Sequence, residues 1–434
     1  MASSIFGIAT SGLNAAQSGL LTTSHNIANV NTAGFSRQEI VQTTPVPQYT
    51  GSGFAGAGVS VTTIRRSYSE FLELQVRDTG SQATAADTLL EQLRSLDDLL
   101  GDPAGGLAPV LQGFFDGANQ VAAYPADAAA RQALVSGAEA LAARFVDLDA
   151  RFAALREGAN GQIESGVAAI NAYASRLADL NRQITSAGAQ GAQAQSPNDL
   201  LDQRDLLLRD LGSQIGISTV VQSDGSLNVF LASGQALVVG GNAYALSTRP
   251  DPEAPQDVAI GIQSGSGVVL IRTSDLRDGQ LGGLIEFRDT DLAAARNALG
   301  RIAMALAAQF NDQHQLGQDL GGALGGQFFA AGAPAVAPRT TNTGSAQWSA
   351  SGASYGALTT SGYRVAWDGA NWQVARLADG ATQSFATLPQ VVDGVTIALA
   401  SGTPAAGDSF RIEPTAAGAA DFSVVGGALR RAAG

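Results

Sequence analysis

A chain of 434 residues is too long for one ordinary hydrophobic core, and about two to four domains are expected. Hydrophobic residues make up 45% but aromatics only 6%, which points to cores of Ala, Leu, Val and Ile in helices packed side by side. A net charge of −13, with every cation an Arg, excludes a basic surface for nucleic acid or anionic lipid, and the absence of cysteine excludes disulfides, thiolate metal sites and cysteine nucleophiles.

The first predicted element is a helix with a seam. Phe6, Leu13, Leu20 and Ile27 fall at a seven-residue spacing, and Ala9, Ala16 and Thr23 follow the first three at the d position. An a/d repeat held over about three heptads predicts a helix that packs along another helix. Gly7, Gly12 and Gly19 each cost such a helix roughly 1 kcal/mol against Ala. The segment therefore needs a partner, is expected to fray alone, and orders on association. It breaks in the Asn-rich run from Asn26 to Arg37, where Asn and Gly tolerate left-handed backbone. Candidate assembly residues are Phe6, Leu13, Leu20 and Ile27 of the seam, with Asn26, Asn29, Asn31, Gly34 and Phe35 of the break. No apolar run approaches the ~20 residues that span a bilayer. The N-terminus has neither the basic n-region nor the continuous h-region of a cleaved signal.

Residues 40–66 read as extended: Pro45 and Pro47 break any helix, and Val59, Val61 and Ile64 alternate with polar neighbours. From Tyr68 the period changes. Phe71, Leu72 and Val76, then Leu89, Leu90, Leu93, Leu96 and Leu100, mark a helix stopped at Gly101-Asp102-Pro103. A short helix follows between Leu107 and Val121. The longest helical pattern runs from about Ala129 to Ile184, through Leu141, Phe145, Leu148, Phe152 and Leu155 and on through Ile163, Val167, Ile170 and Leu177, with a bend at Gly158 to Gly161. Residues 185–195 read as a loop. Ser196 is the predicted N-cap of the next helix, with Pro197 at its first position and Asp199 and Asp202 near its positive end. Leu200, Leu201, Leu207, Leu208, Leu211 and Ile215 supply its buried face.

Strands begin at Ile217, with Asp224-Gly225 as a hairpin turn and a Pro-rich interruption at 250–255. Helix returns over Leu281–Phe310 with Leu292, Ala295, Leu299, Ile302 and Leu306 as its seam. Beyond a Gly/Ala/Pro-rich stretch, hairpin signals stand at Asp368-Gly369, Asp379-Gly380 and Asp393-Gly394. The predicted architecture is multidomain α + β: an N-terminal heptad helix, an elongated helical bundle with an inserted β subdomain, then a small all-β domain. Its expected segments are an assembly segment at 1–39, an extended β connection at 40–66, and a bundle at 67–315 with the β insert at about 217–275. A linker at 316–345 and an outer all-β domain at 346–434 complete it.

Chemistry is sparse along this chain. Gly51-x-Gly53-x-x-Gly56 spells the dinucleotide fingerprint but follows prolines and precedes a strand pattern, the wrong context for a pyrophosphate. His25 and His314 are the only histidines and both stand at helix ends, where capping or interface roles suffice. Asp199, Asp202 and Asp205 share one helix flank with Arg204 and Arg209 nearby, which predicts a solvated or interfacial ion-pair face rather than a metal cluster. No Asp-Gly pair carries the spacing of a Ca²⁺ loop. The residue inventory predicts no cofactor, no metal and no enzymatic activity.

The stretch from Ser11 to Gln38, opening Gly-Leu-Asn-Ala-Ala-Gln and closing Asn-Ile-Ala-Asn-Val-Asn-Thr-Ala-Gly-Phe-Ser-Arg-Gln, resembles the N-terminus of bacterial flagellar axial proteins of the rod, hook and hook-associated kind. Thr22-Thr23-Ser24-His25-Asn26 and Gly34-Phe35-Ser36-Arg37-Gln38 look most like the hook-associated branch that joins hook to filament. The stretch from Ser196 to Asp205 (Ser-Pro-Asn-Asp-Leu-Leu-Asp-Gln-Arg-Asp) is similar to a segment typical of that branch. The resemblance implies a structural subunit outside the cell, exported by the flagellar type III apparatus without a cleaved signal. It implies self-association in a ring or helical assembly, contact with the hook protein and with the next hook-associated protein toward the filament, and an export chaperone for the C-terminal part. It also implies a C-terminal heptad helix to pair with the first, whereas the residues after Val425 are few and Gly-rich, so the expectation is a fragment, a truncated gene product, or a form that borrows its partner helix from a neighbour. A hook or distal-rod protein is the alternative within the class, with a middle region that is mostly β. An adhesin or carbohydrate-binding module around Trp348, Trp367 and Trp372 is the alternative from another class, and a hydrolase attached to the flagellum is a third.

Overall fold

The computed structural model describes residues 2–49, 53–102, 105–189, 196–265, 267–319, 321–352 and 354–426. Helix α1 (Ala2–Ala28) leads to β1 (Gln38–Thr43), β2 (Gln48–Tyr49), β3 (Phe54–Ala55) and β4 (Ser60–Arg66). β1 pairs antiparallel with β4 from Gln38↔Arg66 to Thr43↔Ser60, with a bulge between Val41 and Gln42, and β2 pairs with β3. No helix follows the glycine fingerprint, whose first residue lies outside the described ones; its context is the β2–β3 hairpin.

Three helices come next: α2 (Glu70–Gly101), α3 (Leu107–Ala123) and α4 (Ala128–Gly188). Asp127 caps α4, its carboxylate accepting the Ala129 N–H at 2.9 Å. α4 runs as one helix through Gly158 and Gly161 and differs from expectation at its end, extending beyond residue 185 to Gly188; residues 190–195 of the expected loop lie outside the described ones. Helix α5 (Asn198–Gln214) also starts differently, because Pro197 holds the cap position with no side-chain bond and the Asn198 N–H takes the Ser196 carbonyl at 2.8 Å. Ser196 is therefore not the cap.

β5 (Ile217–Val221), β6 (Leu227–Leu231), β7 (Ala236–Val239) and β8 (Asn242–Ala243) form an antiparallel meander. A second sheet orders β9 (Leu246–Pro250), β10 (Val258–Ser264) and β11 (Gly267–Leu270) with β10 central. The helix expected from Leu281 is three pieces: α6 (Gly279–Glu286), a π-helical turn Phe287–Leu292, and α7 (Ala293–Gln315). The wide turn lets buried Arg288 donate to Asn160 Oδ1 at 2.8 Å and to the Val258 carbonyl at 2.9 Å.

The stretch expected as a linker at 316–345 is instead part of the core. It carries β12 (Phe329–Ala330) and β13 (Ala335–Pro338), and Phe328 and Phe329 are buried beside Phe114 and Phe310. Two adjacent aromatics outweigh the surrounding Gly and Ala, since each ring withdraws a large apolar area from water. The remaining strands are β14 (Gln347–Gly352), β15 (Tyr363–Trp367), β16 (Trp372–Arg376), β17 (Thr382–Phe385), β18 (Gln390–Val392), β19 (Val395–Ser401), β20 (Ser409–Glu413) and β21 (Ser423–Val424). They make a five-stranded sheet β13-β20-β15-β16-β17, a three-stranded sheet β14-β19-β18, and the pair β12-β21. All three Asp-Gly turns stand at hairpin ends; at Asp393 and Gly394 φ is +48° and +81°, the backbone a tight hairpin requires.

Contacts define two compact units. One comprises Met1–Asp87, Ser165–Thr248 and Ile260–Gly283, the other Thr88–Glu164, Arg249–Ala259 and Leu284–Gly434. The span 67–315 expected as one bundle is thus shared between them, since α2 and α4 contribute to both. In the second unit Leu141, Phe145, Leu148 and Phe152 of the α4 seam are fully buried with Phe287, Phe329 and Phe422. A separate core there gathers Tyr363, Val365, Trp372, Val374, Ile397 and Ile412.

One device recurs in both units. In the first, the Asn26, Asn171 and Asn181 amides each pair with both the N–H and the C=O of a single residue, Gln38, Leu246 and Leu227 respectively. In the second, Asn311 does so with Phe329 and Asn342 with Ser409. Each amide supplies the donor and acceptor that a neighbouring strand would otherwise supply.

Candidate assembly surface

Helix α1 packs its small side chains inward. Ala15 and Thr22 are 4% and 7% exposed, and the Ser11 hydroxyl accepts the Val59 N–H at 3.2 Å just before β4. At Gly19 a Cβ would lie 3.5 Å from the Ile40 methyl of β1, so the helix lies close on the hairpin. Ser11, Ala15, Thr22 and Asn26 recur every three to four residues once Ser18 and Gly19 are included, which is one helical face. The large side chains take the other side. Phe6, Leu13, Leu20 and Ile27 are 73%, 70%, 70% and 69% exposed, and Ile5 and Leu21 are exposed beside them. A helix with its small face packed and its bulky face bare inverts the usual pattern. Helix α1 is already helical in the single chain, against the expectation of fraying, because the hairpin supplies the support that an isolated segment lacks.

The residues of the Asn-rich break work inside the chain. Asn26, still within α1, clamps Gln38 of β1 at 2.8 and 2.9 Å. Asn29 donates to the His25 carbonyl at 3.1 Å and so satisfies a helix-end acceptor, while Asn31 is exposed. Phe35 sits edge-on to His25, ring centroids 5.3 Å apart. At Gly34, φ is +79° and a Cβ would stand 3.0 Å from Leu206 of α5, so only glycine fits. The structure thus leaves Phe6, Leu13, Leu20 and Ile27 open as a surface, whereas Asn26, Asn29, Gly34 and Phe35 fix how that surface is carried.

Helix α5 receives this segment in an acidic socket. Asp202 and Asp205 are buried, not solvated as one of the two expected readings had it. One Arg66 nitrogen donates to Asp202 Oδ1 at 2.8 Å and Asp205 Oδ2 at 2.7 Å, and the Ser36 N–H donates to Asp202 Oδ2 at 3.0 Å. Asp199 faces His25 Nε2 at 3.3 Å and accepts from Gln38 Nε2 at 3.0 Å, while Asn198 donates to Gln38 and to the Ile64 carbonyl. Arg209 pairs with Glu73. Burial works to lower the Arg66 pKa, but the hydrogen bonds and charges of Asp202 and Asp205 outweigh it and hold it above its ordinary value. Burial, reinforced by Asp205 and Glu73, pushes Tyr68 beneath that guanidinium up to about 12. Arg66 gave no heptad or turn signal; its position at the end of an alternating run was the available clue.

His314 donates from Nδ1 to the Gly326 carbonyl at 2.7 Å and stacks on Phe310. The tryptophans pack on one another, Trp372 buried with its ring 4.7 Å from Trp348 and 4.6 Å from Trp367. Among the described residues no group of His, Asp or Glu is arranged to hold a metal, and no helix is long and apolar enough to cross a membrane.

Family models match three stretches: the helical domain of flagellar hook-associated protein FlgK at residues 93–329, a D2-like domain of flagellar hook-associated protein 1 at 338–414, and the flagella basal body rod protein at 6–35. Together with the packed helices and small antiparallel sheets, these define the class, an axial protein of the bacterial flagellum. The relatives narrow it. Flagellar hook-associated protein 1 of Escherichia coli strain K12 is 36% identical over 418 residues, covering 95% of this chain and 76% of the relative. That of Salmonella typhimurium strain LT2 is 36% identical over 427 residues, covering 97% and 77%. The solved flagellar hook junction protein FlgK from Burkholderia pseudomallei is 36% identical with a TM-score of 0.76, over 82% of this chain and 65% of that one. The chain belongs to the flagellar hook-associated protein 1 family.

Proposed function

We propose that the chain is a structural subunit of the junction between flagellar hook and filament, assembling through the exposed face of α1. The observation that carries this reading is the inverted helix: Phe6, Leu13, Leu20 and Ile27 stand in water at heptad spacing while Ala15 and Thr22 hold the helix to its hairpin. Burying four such side chains stabilises an assembly by roughly 1.5–3 kcal/mol each. The cost of ordering is low because the helix is preformed. The partners are further copies of the chain, the hook protein on one side and the next hook-associated protein on the other. The opening segment also serves the flagellar type III apparatus as an uncleaved export signal, and a chaperone guards the C-terminal part before export. Support for a junction role over a hook or distal-rod role comes from the helical middle of the chain and its match to the helical domain model. The adhesin reading loses support where its tryptophans are committed to a core.

The test is to add the purified chain to hook–basal bodies lacking junction proteins and look for a ring at the distal hook end by electron microscopy. Leu13→Asp with Leu20→Asp should abolish the ring while leaving the far-UV spectrum of the monomer unchanged. Rings of unchanged yield from that variant would contradict the role given to this face.

A further inference from the structure

The base of the β1–β4 hairpin is fastened to α5 at two points that are register partners. Gln38 opens β1 and Arg66 closes β4, and they face each other across the ladder. Gln38 reaches Asp199 and Asn198, Arg66 reaches Asp202 and Asp205, and Ser36 adds a backbone donor to Asp202. Gly34 also lies close on Leu206. An apolar contact tolerates sliding and rotation, whereas several directional bonds at two separate points permit one orientation. Buried ion pairs are also poor devices for stability alone, since apolar groups of similar volume often serve as well. The assembly face of α1 contributes nothing to the fastening, because it points away into water.

We propose that this socket is an orienting joint: Arg66, Asp202 and Asp205 are positioning residues that set the direction in which α5 presents the assembly helix. The proposal rests on the assembly reading above and adds where its geometry is controlled. A ring demands that every copy present α1 at the same angle, and a joint with a broad range of angles would defeat closure without unfolding any part.

The chain has no cysteine, so spin labels can be placed cleanly at two exposed positions, Thr23→Cys on α1 and Gln203→Cys on α5. The doubly labelled full chain should give a narrow distance distribution by pulsed electron resonance. The double variant Arg66→Met, Asp202→Leu removes one charge of each sign and leaves Asp205 beside the buried guanidinium of Arg204, 3.8 Å away. It should keep its melting midpoint, broaden that distribution at least about twofold, and lower ring yield on hooks at least about tenfold. Arg66→Lys should restore part of the ring yield relative to Arg66→Met alone, which a packing role would not predict. Unchanged width in the double variant, or rings at full yield despite a broadened width, would overturn the joint. If the unaltered chain itself forms no rings, the assembly reading fails, and the widths alone still decide whether the socket fixes orientation.

Discussion

Asn181 shows what a single polar side chain does in this molecule. It lies in the interior of α4, and its amide closes on the Leu227 N–H and C=O at 3.0 and 2.8 Å and on the Gly240 carbonyl at 2.7 Å. Asn181→Ala would leave those backbone groups buried without partners, a loss of about 2–3 kcal/mol in denaturant unfolding. Asn181→Asp should cost at least as much, because a carboxylate offers no donor to the two carbonyls. Tyr68 gives a second check at this scale. Its folded pKa stands near 12 against an ordinary value of about 10, so the neutral phenol is favoured by the fold. That contribution is complete below pH 10 and is lost as the pH rises through about 12. Absorbance at 295 nm should show a late-titrating fraction of the tyrosines, diminished in Tyr68→Phe; titration of that fraction near pH 10 would contradict the packing of Tyr68 under Arg66.

Among the elements, α1 was legible in its bulky residues and misleading in its small ones. The heptad of Phe6, Leu13, Leu20 and Ile27 declares a surface, but a heptad does not say which side the chain itself will cover. That decision falls to Ser11, Ala15, Gly19 and Thr22, whose size admits the hairpin and which carry no hydrophobic period. Ala15→Leu should overpack this face and destabilise the chain by about 1–3 kcal/mol, read as a lowered melting midpoint. The long seams of α4 and the four Asp-Gly hairpins, Asp224-Gly225 included, were equally legible, because each follows a local rule of period or backbone sign. Two features were not: the π-helical turn at Phe287–Leu292 and the buried Phe328-Phe329 pair within the expected linker. Both involve partners from elsewhere in the chain, Asn160 and Val258 for the first and Asn311 for the second.

The molecule as a whole divides into two units that each hold their own core, and neither core was bounded correctly by composition. Gly-rich and Ala-rich stretches look alike whether they link or pack, since only the neighbours distinguish them. The open seam was visible as a pattern, while the acidic socket beside it needed three-dimensional partners. In the β module Trp372 separates the structural and the ligand-binding readings. Its burial predicts that Trp372→Ala loses about 3–5 kcal/mol of stability. Glycan binding lost in a variant of undiminished stability would instead favour the adhesin.

The most direct measurement is electron microscopy of hooks lacking junction proteins after incubation with this chain, alongside the Leu13→Asp, Leu20→Asp variant. A new ring at the distal end with the unaltered chain, absent with the variant, is the predicted result. Hooks that stay bare with both, or gain equal rings with both, would contradict assembly through the exposed face of α1.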